Sequence, residues 1–247
     1  PFTQADMMEA VADYVVSCNL SSKVKVSFVE GMQVAGRFVS CRAASQGKVS
    51  SAKHTLFVRA DLHTSMTRGK LQLFLHHEVG THVIRRINEE FQPWNMRRAK
   101  FNLHTVGKSR AGTGIEEGLA SLNELCEHPT NKLLVGSALN YYVAFMGSML
   151  PFRDVFEHLA QFGIPAEKRW ALVLRSKKGL TDNTQPGAQG RDQSYFEGSV
   201  HILRNIESIN FKMLYCGKLN PDELGRVARL ARTECIKVPR FLSDMKA

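Results

Sequence analysis

Residues 71–87, LQLFLHHEVGTHVIRRI, decide how this chain is read. Leu71, Leu75 and Val79 recur at helical spacing, and Val83, Ile84 and Ile87 carry the apolar stripe onward, so the stretch predicts one helical segment with a buried face. Within it His77-Glu78-Val79-Gly80-Thr81-His82 sets two imidazoles and a carboxylate on the same segment. That is the equipment of a metal-dependent hydrolase: a catalytic zinc takes three protein ligands, leaves a position open, and works beside a carboxylate base.

The spacing is unusual. The common HExxH motif separates its histidines by four residues, which leaves them roughly 40° apart around a regular helix, whereas the five-residue step here leaves them roughly 140° apart. Joint ligation therefore requires a widened turn, and Gly80 stands where that distortion falls. The competing reading is an ordinary helix with scattered surface histidines. A second motif favours the metal: Ile115-Glu116-Glu117-Gly118-Leu119-Ala120 opens the helical run EEGLASLNEL. A Glu from a second helix completes a His, His, Glu set. The run is similar to the third-ligand segment of zinc peptidases of the gluzincin type, with Glu117, followed by Gly-Leu-Ala, the better match and Glu116 the alternative. Without a metal, both are carboxylates at the positive end of a helix dipole.

HHEVGTH, then Gln92-Pro93-Trp94, EEGLAS, and PGAQGRDQSYFEG over 186–198 together resemble the microtubule-associated tyrosine carboxypeptidase family, and the likeness runs along nearly the whole chain. The resemblance implies an α+β, gluzincin-like zinc metallopeptidase that removes the C-terminal tyrosine of α-tubulin. It implies His77, His82 and Glu117 as zinc ligands and Glu78 as the catalytic glutamate. It also implies the α-tubulin tail and microtubules as partners, in the cytoplasm and on the cytoskeleton. Two stretches depart from the family pattern, Val83 to Arg86 and the basic run NMRRAK at 95–100.

The remaining site residues are sought on residues 181–198, TDNTQPGAQGRDQSYFEG, a Gly, Pro and polar loop of a length that is usually functional. A carboxypeptidase needs a cation for the free carboxylate, and a guanidinium pairs with one through two parallel hydrogen bonds. It also needs a donor for the oxyanion. Arg191 is read as the first and Tyr195 as the second, with His201 a rival donor, Asp192 a helix cap, and Arg110 a further candidate cation on a 105–114 loop.

The chain has 247 residues and 43% hydrophobic content, enough for a substantial core. It is read as a single catalytic domain, strand-rich over 1–65 and helical over 66–247. Strands are expected at 24–28, 35–41 and 55–58, with the last an edge that can pair with extended substrate. Helices are expected at 5–18 (Met8, Ala12, Val15 and Val16 inward), 131–149, 152–162, 166–177, and from Asn220-Pro221 onward, with Leu224, Val227, Ala228 and Ala231 as the inner face. No stretch reads as a membrane span or a signal peptide, and a chain that opens on Pro1 is expected to be trimmed. Five cysteines without a CxxC pair predict reduced packing thiols. The formal charge of +10 draws polyanions in general, acidic protein tails among them. Finger, RNP and basic-zipper patterns are missing, so no nucleic-acid partner and no membrane partner is expected.

Overall fold

The computed structural model describes residues 2–40, 54–104, 110–126, 134–239 and 241–242, with side chains on 110–126 from Thr113 onward. The chain is α+β, mostly helical, with one small sheet. It divides into two compact units. The first comprises 1–105, 123–131 and 209–247, and the second 106–122 and 132–208.

The first unit opens with α1, Gln4–Ser17, started by a capping box in which the side chains of Thr3 and Asp6 each accept from the other's backbone N–H. Its inner face is Met7, Val11 and Val15, while Met8 and Val16 are exposed. Of the expected stripe Val15 is buried, while Met8, Ala12 and Val16 give way to their neighbours: two adjacent stripes carry the same four-residue period, and only the packing partner selects between them.

Strands β1 (Val24–Val29), β2 (Gly36–Val39) and β3 (His54–Arg59) form a sheet of order β1-β3-β2. β3 runs parallel to β1, pairing Val26 with Leu56, and antiparallel to β2, pairing Phe38 with Leu56. The stretch 55–58 is therefore the central strand and not the expected edge. Both of its backbone rows are used within the sheet, so an extended substrate has no row of β3 to pair with.

Next come α2 (Arg68–His77), a π segment (Glu78–Val83) and α3 (Ile84–Glu90). Thr67 caps α2 by accepting from the Lys70 N–H. The predicted stripe of Leu71, Leu75, Val79, Val83, Ile84 and Ile87 is buried throughout. Gly36 lets this helix lie on the sheet, since a Cβ there would stand 2.6 Å from the Phe74 ring. His54 of β3 reaches Glu90 of α3 at 3.0 Å, and Arg86 donates to the Ser40 hydroxyl at 3.1 Å.

Two basic residues in the stretches that depart from the family pattern are structural fasteners. Arg85 is buried and donates to the carbonyls of Leu214, Gly217 and Leu219. Arg98 pairs with the buried carboxylate of Glu89 and donates to the Lys218 carbonyl. Both tie the α3 region to the segment after α9 (Phe211–Leu214). The expected last helix is short. Asn220 and Glu223 form a capping box, but the helical turns end with α10, Leu224–Val227, and Ala228 is exposed. Glu223 also binds the His104 backbone N–H at 2.5 Å, so the cap serves as a tertiary anchor.

In the second unit, α5 (Val135–Met149), α6 (Phe152–His158) and α7 (Ala166–Ser176) enclose Val143, Val155, Leu159 and Val173. These helices match the three expected ones, with 159–162 tightened to a 3-10 turn. Lys177 is buried and donates to the carbonyls of Gly147, Leu150 and Gln185, which anchors the loop 178–189 from inside. Helix α8, Gln193–Arg204, packs against α5. Helix α4, Arg110–Cys126, begins before the expected position, so residues 110–114 are helical and not part of a loop. The remainder of that expected loop, 105–109, and the Arg110 side chain lie outside the described residues.

Glycines make a close helix crossing possible here. A Cβ on Gly118 would stand 2.2 Å from the Gly198 carbonyl carbon, and one on Gly198 would stand 1.7 Å from the Gly114 oxygen. Helices α4 and α8 thus touch backbone to backbone, and Ser199 seals the contact by donating to the Gly118 carbonyl at 3.1 Å.

Candidate metal centre

The distortion that the His-to-His spacing demands is present: Glu78–Val83 is a π turn joined without a break to α2 and α3. A turn closed by i→i+5 hydrogen bonds takes up the fifth residue, so side chains five apart return to one face. The rings of His77 and His82 accordingly lie side by side, with centroids 4.9 Å apart. Gly80 fits the turn because a Cβ would meet the Tyr14 hydroxyl at 2.8 Å and the Phe241 ring at 3.0 Å.

A π turn disturbs the regular carbonyl ladder, and hydroxyls repair it. Thr81 Oγ1 donates to the His76 carbonyl at 3.0 Å, and the Tyr215 hydroxyl donates to the Gly80 carbonyl at 2.9 Å. Asn123 of α4 donates to both hydroxyl oxygens, at 2.6 Å to Thr81 and 2.9 Å to Tyr215. Thr81, Asn123 and Tyr215 are all buried, so each bond is worth more than a solvated one.

The other histidine of the HHE run has a different task. His76 is buried, its Nδ1 lies 2.6 Å from the Tyr14 hydroxyl, and its ring meets Phe241 edge-on. It belongs to the core under α1. His77, next along the chain, points the other way, and its Nδ1 lies 2.6 Å from Glu124 Oε1.

Among the described residues, His77, His82 and Glu117 form a group able to hold a metal ion, one donor atom from each lying within 4.8 Å of the others. All three are partly exposed. Of the two carboxylates left open by the sequence, Glu117 and not Glu116 belongs to this group. Glu78 opens the π turn beside His77 and is partly exposed.

Tyr195 stands on the first turns of α8, with its hydroxyl hydrogen-bonded to the Glu117 carboxylate. Burial, followed by the negative charge of Glu117, pushes the phenol well above its ordinary value, so at neutral pH it keeps its proton and can donate it. Arg191 is exposed on the 3-10 turn before α8, near enough for its charge to oppose that shift. The rival donor His201 is exposed near the far end of the same helix. Asp192 makes no side-chain cap bond to α8. It is buried and accepts two hydrogen bonds from Nε and Nη2 of Arg175, at 2.5 and 2.9 Å.

Sequence reasoning missed Asn123, Glu124, Tyr215 and Arg175. Glu124 left a usable signal: it follows Glu117 by seven residues, two helical turns, and so shares its face. Tyr215 and Arg175 come from distant segments and leave none.

The sequence model described as microtubule-associated tyrosine carboxypeptidase matches residues 39–247. The chain belongs to the microtubule-associated tyrosine carboxypeptidase family. A mouse protein named putative tyrosine carboxypeptidase MATCAP2 is 37% identical over 70% of this chain and 33% of its own length, and the human protein of that name is 36% identical over the same shares. Mouse microtubule-associated tyrosine carboxypeptidase 1 is 32% identical over 71% of this chain and 37% of its own. The chain thus spans about a third of the length of these curated relatives. Among the described residues no helix is long and apolar enough to cross a membrane.

Proposed function

We propose that this member of the family is a zinc metallocarboxypeptidase of the gluzincin type that removes the C-terminal tyrosine of α-tubulin, acting on microtubules in the cytoplasm. The observation that carries the reading is the π turn, which sets His77 and His82 side by side in reach of Glu117. Two imidazole nitrogens and one carboxylate oxygen are a donor set that zinc favours in its catalytic, three-ligand form. When bound there, zinc supplies Lewis acidity for the carbonyl and the water.

The chain's own residues do the rest. Glu78 takes a proton from the attacking water and passes it to the leaving amine. Tyr195, kept protonated, donates to the oxygen that gains charge in the tetrahedral intermediate. Arg191 pairs with the free carboxylate of the substrate, which restricts the reaction to chain ends. The charge of +10 draws an acidic tail toward the protein. The names of the relatives supply the tyrosine and the microtubule.

The test combines zinc content with release of tyrosine from tubulin, wild type beside Glu78→Gln. Stoichiometric zinc in both proteins is expected, with activity reduced about 10²- to 10⁴-fold in the variant. Wild-type protein without stoichiometric zinc overturns the metal assignment. A panel of peptides with free and amidated C-termini checks the exopeptidase assignment, which fails if amidated peptides are cut as fast.

A further inference from the structure

Resting on the reading of His77 as a zinc ligand, we propose that Glu124 is a positioning residue that sets the tautomer and the aim of that imidazole. Glu124 Oε1 lies 2.6 Å from His77 Nδ1. A carboxylate in such a bond accepts, so Nδ1 carries the proton and the lone pair of the ring is on Nε2, the nitrogen that would ligate a metal. Outer carboxylates of this kind orient a ligating imidazole and raise its basicity.

The placement follows from helix geometry. Seven residues separate Glu117 from Glu124, so the two carboxylates stand within about 20° of one another around α4 and roughly 10 Å apart along it. One helix thus offers a ligand at one level and, two turns on, a carboxylate that holds a second ligand. Asn123, the residue before Glu124, fixes Thr81 of the same π turn, so both ends of the turn are held by consecutive residues of α4.

The rival is a plain ion pair. The Glu124 side chain is 41% exposed and that of His77 only 13%, so as a surface pair the contact would contribute little stability and no metal selectivity. The two differ in what they move. In metal-free protein at pH 8, long-range ¹H–¹⁵N spectra report which nitrogen of His77 is protonated. The expected result is Nδ1–H in the wild type and loss of that preference in Glu124→Ala. Zinc affinity, measured by chelator competition, is expected to fall about 10- to 100-fold in Glu124→Ala. Glu124→Gln, which keeps an acceptor without the charge, is expected to fall between the two, with an unfolding midpoint close to wild type. A Glu124→Ala protein with wild-type tautomer and wild-type zinc affinity overturns the proposal while leaving the metal reading intact. Wild-type protein that binds no zinc overturns the metal reading, and the proposal with it.

Discussion

Tyr215 holds Gly80: the phenol, fully buried, donates to the carbonyl of the one glycine in the π turn at 2.9 Å. The same oxygen accepts from Asn123, so the hydroxyl is used on both sides. Tyr215→Phe removes a donor and an acceptor and leaves Gly80 and Asn123 unsatisfied in the interior. The expected loss is about 1–3 kcal/mol in urea denaturation, with weakened zinc binding alongside it. A variant as stable as wild type and with equal zinc affinity would show that the turn does not depend on this bond.

The crossing of α4 and α8 gives a sharper contrast. Gly118→Ala and Gly198→Ala drive a methyl into backbone at 2.2 and 1.7 Å, where no side chain can move aside. Each is expected to cost about 3 kcal/mol or more, the upper end for overpacking. Gly136→Ala is the control. Its position near the start of α5 is open, with nothing within 4 Å, and it should be neutral or stabilising by up to about 1 kcal/mol. Thermal melts of the three variants decide the matter.

Acid should release the start of α1 before the rest of the chain. Hydrogen bonds from Thr3 hold the Asp6 carboxyl below its ordinary value of 3.8. A carboxyl lowered in the folded state contributes stability that is complete above the unfolded value and is lost as pH falls through the folded one. Amide exchange in the first turn of α1 should therefore quicken below about pH 4. Asp6→Asn should exchange faster at neutral pH and lose most of this pH dependence; an unchanged profile in Asp6→Asn would reject the assignment.

The thiols should separate by exposure. Burial pushes Cys18 and Cys216 up to about 11, whereas Cys235 is exposed. At pH 8, iodoacetamide followed by peptide mass spectrometry is expected to mark Cys235 well ahead of the other two, which should react only on unfolding. Early labelling of Cys216 would show that the segment after α9 opens readily.

What the sequence made legible is what local geometry dictates. The five-residue spacing of His77 and His82 required a widened turn, and Gly80 located it, because helix phase is a property of one segment. The three strands and the helices over 135–176 followed from periodicity and breakers in the same way. The failures need a partner to be seen. Residues 110–114 read as a loop because the crossing they belong to, with Gly198 against the Gly114 carbonyl, lies far away in the chain. The central position of β3 depends on a return between β1 and β2 that its own residues do not encode. Met7 displaced Met8 on the inner face of α1 because equal periods leave the phase to packing. Asp192 read as a cap since nothing near it announces Arg175.

A single helix bearing Glu117, Asn123 and Glu124 also determines which genetic changes the protein can absorb. Substitutions on the outward side of α4 leave the phase of these three residues alone. One inserted or deleted residue between Glu117 and Asn123 rotates the first against the other two by about 100° and breaks the arrangement at once. The stretch between Glu117 and Asn123 should therefore keep its length among working relatives.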